Sequence, residues 1–218
     1  MPADARSAIL AAIRSANGQA TDLPHIESDY AQIPRTYTQQ SSLSHDEALA
    51  LLTERLIDYN ASVVPCTAHQ VPSAIRSALQ HHNAHRILVP EDFPAHLLPE
   101  GFEVTPDRNL SPAELDRFDA AVTLGALAIA ETGTITLEGI SGQGRRAATL
   151  VPDVHVCVLN AENIVTHVPE AIARLASAAT LPLTFFSGPS ATADIEMTRI
   201  KGVHGPRHIH ILLLQNVA

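Results

Sequence analysis

From Ser44 to Leu124 the chain repeats one pattern three times: an amphipathic helical stretch followed by a short, uninterrupted apolar run. Ser44-His45-Asp46-Glu47 is a capping box, in which the serine hydroxyl accepts from an amide three residues on and the glutamate reaches back. Leu43 and Ala48 flank it as a weak hydrophobic staple. Leu49, Leu52, Leu56 and Tyr59 then mark one helical face. Ser62–Pro65 reads as a strand, Val71–Leu79 as a second helix through Ile75 and Leu79, and Arg86–Val89 as a strand stopped by Pro90. Ser111-Pro112-Ala113-Glu114 repeats the capping box with proline at the first helical position, where its missing amide costs nothing. Asp119–Leu124 is the third apolar run. Strands of this kind, each followed by a helix, predict a parallel sheet covered on both faces.

The second half changes character. Ala126–Ala130 and Thr134–Leu137 are strand-like runs joined by Glu131-Thr132-Gly133, a hairpin-like turn. Val154–Leu159 is a further strand, Ala161–Leu175 carries helical spacing through Ile164, Val168, Ile172 and Leu175, and Leu183–Phe186 and His208–Leu214 read as buried strands. Ahead of the compact part, the first fifteen residues form an amphipathic helix with Ile9, Leu10 and Ile13 on one face, stopped by Asn17-Gly18. The polar stretch 19–42, with Pro24 and Pro34, reads as an extended connector. The expected organisation is a helical arm with its connector over 1–42 and one α/β domain over 43–218. Apart from that rhythm of elements, the sequence itself shows no internal repeats and no low-complexity segments.

Charge and composition narrow the function. With 14 basic and 23 acidic residues the net charge is −9, which argues against phosphate-backbone binding through clustered cations. No tryptophan and few aromatics leave little material for base stacking. The longest uncharged apolar stretch, Ala120–Ala130, is too short for the ~20 residues a bilayer requires. The first turn carries Asp4 and Arg6 without an apolar region after it, so no secretory signal is expected and the cytoplasm is the expected location. Cys66 and Cys157 have no CxxC partner, so no iron–sulfur cluster or cysteine-rich zinc site is expected on this chain.

Three loops crowd small and polar residues against strand ends, where open parallel sheets bind ligands. In Glu131-Thr132-Gly133-Thr134, Glu131 is a candidate general base or acyl-transfer nucleophile beside a glycine that permits a tight turn; the plainer reading is a hairpin turn. In Ser187-Gly188-Pro189-Ser190, followed by Thr192, Asp194 and Glu196, amides and hydroxyls suit a phosphate or carboxylate, with Ser190 or Thr192 as cap of a short helix. In Lys201-Gly202-Val203-His204-Gly205-Pro206, His204 is a candidate proton shuttle. Lys201 reads as a solvated loop lysine. Arg145 and Arg146, closing the glycine-rich run from Gly139, suit an acidic ligand, although the run lacks Walker spacing. His81 and His85 share a helical face as a possible zinc pair but read more readily as surface; His208 and His210 share a strand face.

Taken in order, Glu131-Thr132-Gly133-Thr134, Gln143-Gly144-Arg145-Arg146, Leu150–His155, Ser187-Gly188-Pro189-Ser190 with Thr192–Glu196, and Gly202–Pro206 resemble the LUD domain, and most closely the lactate utilization protein C family. Order and spacing agree from about Asp119 to Leu214. The resemblance implies a Rossmann-like three-layer α/β sandwich similar to the NagB/RpiA/CoA-transferase-like fold. It also implies a part in oxidising L-lactate to pyruvate beside iron–sulfur partner proteins, with the redox chemistry carried by those partners or by a bound small molecule.

Three functions are consistent with these readings. The first is a non-redox subunit of a lactate-oxidising system that binds an organic acid or a partner. The second is a stand-alone enzyme acting on a phosphorylated or CoA-linked anion, with Glu131 as base or nucleophile. The third is an interaction module whose loops are structural. For the first two, Glu131, Asp194 and His204 are the expected catalytic residues. Thr132, Gly133, Thr134, Arg145, Arg146, Ser187, Gly188, Pro189, Ser190, Thr192 and Gly205 are the expected ligand contacts. The expectation common to both is that Glu131 and His204 meet at one pocket.

Overall fold

The computed structural model describes residues 4–17, 23–193, 199–202 and 204–215. It divides into two compact units, Met1–Tyr37 and Thr38–Ala218. In the first, α1 (Ala5–Ala16) starts at Asp4, whose carboxylate accepts from the Arg6 amide, and leaves Ile9 and Ile13 exposed. The polar stretch expected to be extended contains a second helix, α2 (Leu23–Gln32). Proline enters it at Pro24, in the first turn, where it is tolerated.

The second unit opens with α3 (His45–Asp58), whose predicted capping box is present: Ser44 Oγ accepts from the Glu47 amide and Glu47 accepts from the Ser44 amide at 2.7 Å. The chain continues through β1 (Ser62–Cys66), α4 (Val71–His81), β2 (Arg86–Pro90) and β3 (Glu103–Asp107). It then runs through α5 (Pro112–Leu115), β4 (Ala120–Leu124), β5 (Leu127–Ile129) and β6 (Thr134–Leu137). After α6 (Arg146–Leu150) come β7 (Val154–Asn160), β8 (Ile164–Val165), α7 (Val168–Leu175) and β9 (Thr184–Phe186). The last strands are β10 (Ala191–Ala193), β11 (Arg199–Lys201) and β12 (His208–Leu214).

Six strands form an all-parallel sheet in the order β1-β12-β7-β4-β2-β3. The final strand is therefore inserted between the first and the seventh. Paired residues share a face, so Val122, Val156 and Leu212 point one way, against Ile75 and Leu79 of α4. Cys157, Leu159, Ile211 and Leu213 point the other way, against Leu52 and Leu56 of α3. Each such buried leucine or isoleucine contributes about 1.5–3 kcal/mol.

That second layer also holds a smaller sheet, ordered β8-β5-β6-β9, which the sequence does not announce. Its hairpin β5–β6 forms where predicted, with Ile135 and Ala128 joining the α3 core. Its other side packs Leu127, Ile129 and Val165 on Ala171 and Leu175 of α7. Gly125 lets the chain cross between the sheets: a Cβ there would stand 3.1 Å from both Cys157 Sγ and Leu159 Cδ1.

Two strand and helix expectations are corrected. The helix expected over Ala161–Leu175 is broken into a 3-10 turn, β8 and α7. The β-branched pair Ile164-Val165 is taken up by pairing with Ala128 and Ile129, and Glu170 accepts from the Thr166 and His167 amides to start α7 afresh. The strand ending at Phe186 is an edge strand, and Phe185 is 46% exposed rather than buried.

Candidate functional site

A cavity of about 210 Å3 lies between the two sheets, at the start of β7 and β12. Its floor is built from His155, Phe186 and Ile209, and its upper wall from Ser187, Gly188 and Ser190. Arg146 and His204 line it from exposed positions, so they sit toward solvent. A space of this size is below the range of ~300–1,000 Å3 that accommodates drug-sized ligands, and suits a small molecule.

The strand–loop chemistry explains the walls. Gly188 has φ +75°, and a Cβ there would stand 2.6 Å from the Tyr59 carbonyl oxygen, so only glycine lets the loop rest on the end of α3. Gly133 does the same for the other turn, with φ +59° and Arg55 Cβ 2.8 Å from where its own Cβ would be. The Ser190 amide donates to the Pro206 carbonyl at 3.0 Å, and the His204 amide donates to Ser190 Oγ at 3.2 Å. These bonds bring the second and third predicted loops together, with Gly205 close against Ser190.

The first loop touches this assembly only through its far end. Thr134 Oγ1 stands 2.7 Å from Ser187 Oγ and accepts from Thr132 Oγ1 at 2.8 Å. Glu131 does not line the cavity. Its carboxylate accepts from the Val168 amide at 3.2 Å and stands 2.7 Å from His167 Nδ1, capping α7. The expectation that Glu131 and His204 share a pocket is not met, because the turn hands its acid to a helix N-terminus on the other side of the small sheet.

The adjacent arginines also part. Arg146 begins α6 and reaches the cavity, whereas Arg145 donates through Nε (2.7 Å) and Nη2 (2.9 Å) to Asp107, and through Nη2 also to the Leu110 carbonyl. Burial works to raise the Asp107 carboxyl, but hydrogen bonds from Arg145 and the Leu110 amide hold it below the usual carboxylate range. Arg145 thus ties the glycine-rich loop to the end of β3, where a separate groove of about 570 Å3 opens.

The expected helix cap after Ser190 is corrected: Ala191–Ala193 is a strand, and Thr192 pairs with Ile200 of β11. Pro189 is half-buried between Gly188 and Ser190. Asp194, together with Glu196 and Val203, lies outside the described residues. His81 and His85 do not form a pair. The helix ends at His81, Asn83 takes a positive φ of 52°, and His85 lines another groove beside Glu100.

His155 is a titratable cavity residue to which the sequence assigns no role. His155 is 2% exposed, its Nε2 stands 2.8 Å from Thr123 Oγ1, and burial holds its pKa down at about 4. It is therefore a neutral imidazole across the ordinary pH range. The available signal was a histidine interrupting the alternating valines of Val154–Val158. Cys157, two residues further along the strand, faces the α3 core, and burial pushes its thiol up to about 12 despite a hydrogen bond from Thr123. Among the described residues no helix is long and apolar enough to cross a membrane.

The chain is 44% identical to Lactate utilization protein C of Deinococcus radiodurans over 181 residues, covering 82% of this chain and 84% of that protein. It is 29% identical to Lactate utilization protein C of Bacillus pumilus over 195 residues, covering 78% and 80%. The crystal structure of a DUF162 family protein from Deinococcus radiodurans superposes with a TM-score of 0.70 at 41% identity, over 79% of this chain and 99% of that one. The model of the LUD domain matches residues 45–214, which span both sheets and every described wall of the cavity, and the chain belongs to the LUD domain family.

Proposed function

We propose that this protein serves lactate utilization by holding a small carboxylate, L-lactate or its oxidation product pyruvate, in the cavity beneath the Ser187–Ser190 loop. The observation that carries the reading is the convergence of Arg146, Ser187, Ser190 and His204 around a space of about 210 Å3 floored by Phe186 and Ile209. A carboxylate is matched by a guanidinium and hydroxyl donors near solvent, and a methyl group by the Phe186 and Ile209 part of the floor. The relatives named Lactate utilization protein C support lactate as the metabolite.

Oxidising lactate requires removal of two electrons and two protons. With two buried cysteines, 66 and 157, the chain lacks the thiolates to ligate an iron–sulfur cluster of its own. On the resemblance to the lactate utilization protein C family, we assign electron transfer to iron–sulfur partner proteins and substrate or product binding to this subunit, acting in the cytoplasm.

Calorimetric titration of the full chain with L-lactate, D-lactate and pyruvate tests this, with R146A as the comparison. L-lactate or pyruvate binding that is weakened at least tenfold by R146A is the expected result. Absence of binding by both acids, with stabilisation instead by a sugar phosphate or CoA thioester, would favour a stand-alone enzyme on an anionic substrate. Ligand at a hundredfold excess over Kd raises stability by about 2.7 kcal/mol, so thermal melts give the same answer independently.

A further inference from the structure

On the opposite face of the parallel sheet from the cavity, four imidazoles gather where the end of α4 meets the start of β12. Ile209 pairs with His155 and turns with it toward the cavity, so its neighbours His208 and His210 turn the other way. There His82 stacks on His208 with ring centroids 4.2 Å apart, and His81 meets His82 edge-on at 4.8 Å. His82 Nε2 and His210 Nε2 stand 2.8 Å apart. The groove they line has a volume of about 470 Å3, and its described lining contains no carboxylate and no lysine or arginine.

We propose that this groove is a transition-metal site, in which His82 and His210 ligate a divalent ion such as Cu2+, Ni2+ or Zn2+. A contact of 2.8 Å between two ring nitrogens needs one of them to offer a lone pair, so a ligating nitrogen is already present. Two imidazoles on adjacent corners of a square or octahedral ion, with bonds of ~2.0–2.1 Å, place their nitrogens about 2.9 Å apart. The observed separation is that of a hydrogen bond and lies close to that edge, so the two nitrogens need to rotate, not travel, to face a common ion. With centroids 5.0 Å apart the rings meet nearly end to end and share a proton, and the ion replaces that proton as both rings swing toward it.

Among the described residues no three histidine, cysteine or acidic side chains are already disposed as ligands. The site is accordingly a two-histidine one, completed by water, with His208 and His81 adjacent. Nitrogen donors select copper, nickel and zinc over magnesium and calcium, which take oxygen.

Calorimetric titration of the full chain in a non-coordinating buffer tests the assignment, with Cu2+, Ni2+, Zn2+ and Mg2+ as separate probes. Stoichiometric uptake is expected, with Cu2+ bound more tightly than Ni2+ or Zn2+ and no response to Mg2+, retained in H85A and lost in H82A and H210A. The electron paramagnetic spectrum of the Cu2+ form should show nitrogen coupling that H82A removes. Uptake that persists unchanged in H82A, or no stoichiometric uptake of any of the three metals by the parent chain, overturns the site. If H210A does not fold, H82A, at a half-buried position, decides alone.

Discussion

The Thr134 hydroxyl stands 2.7 Å from the Ser187 hydroxyl, and this contact is where the hairpin turn of the small sheet meets the wall of the cavity. The turn's acid, three residues earlier, points away. Removing the hydroxyl in T134V should cost about 1 kcal/mol in urea unfolding, the usual net value of one hydrogen bond. S187A should cost a similar amount and also weaken L-lactate binding in calorimetry, since Ser187 is the partner that lines the cavity.

Glu131 serves as a cap for α7, through the Val168 amide and His167. E131A should therefore lower stability by about 1 kcal/mol, as loss of a helix cap does, while leaving lactate affinity intact. A loss of binding in E131A with unchanged stability would return this residue to the site.

The neighbouring arginines should separate cleanly. R145A strips the cationic partner from the Asp107 carboxylate, whose side chain is 3% exposed, leaves it the Leu110 amide, and should cost about 2 kcal/mol. R146A removes an exposed side chain at the cavity and should leave the melting temperature almost unchanged while weakening lactate binding. Chemical denaturation and calorimetry on the two variants read both effects.

Stability should fall as pH drops from about 6.5 to about 4, the window between the ordinary histidine value and that of buried His155. Within it the unfolded chain binds a proton that the folded chain excludes, so unfolding free energy rises with pH. The contribution of His155 is on the order of 3 kcal/mol across that window, present above it and lost below. His210, held down at about 4 by burial and by the neighbouring imidazoles, acts in the same direction. Urea titrations at several pH values should show a shallower pH dependence in H155Q; an unchanged slope would contradict the assignment.

Much of this architecture is visible in local patterns. Ser44–Glu47 and Ser111–Glu114 form their capping boxes because every bond in them lies within three residues. The runs at residues 86–90, 120–124 and 154–160 are apolar because both faces of a parallel sheet are covered, and that pattern marks burial. The pattern does not name a neighbour: nothing in His208–Leu214 says that it lies between β1 and β7. Likewise Ile164 and Val165 fit helical spacing, and pairing with β5 outweighs it.

The residues around Ser187 and His204 were recognisable as loops because glycine and proline mark sharp backbone turns wherever they occur. Their union at one cavity through Ser190, the departure of Glu131 to α7 and the split of Arg145 from Arg146 arise from partners at 206, 167 and 107, contributed by distant stretches of chain. Periodicity and capping act over a few residues, so composition and spacing carry them. The destination of a carboxylate or guanidinium depends on which backbone amides and charges the packed sheets bring within 3 Å, and that is settled only once all the strands have found their places.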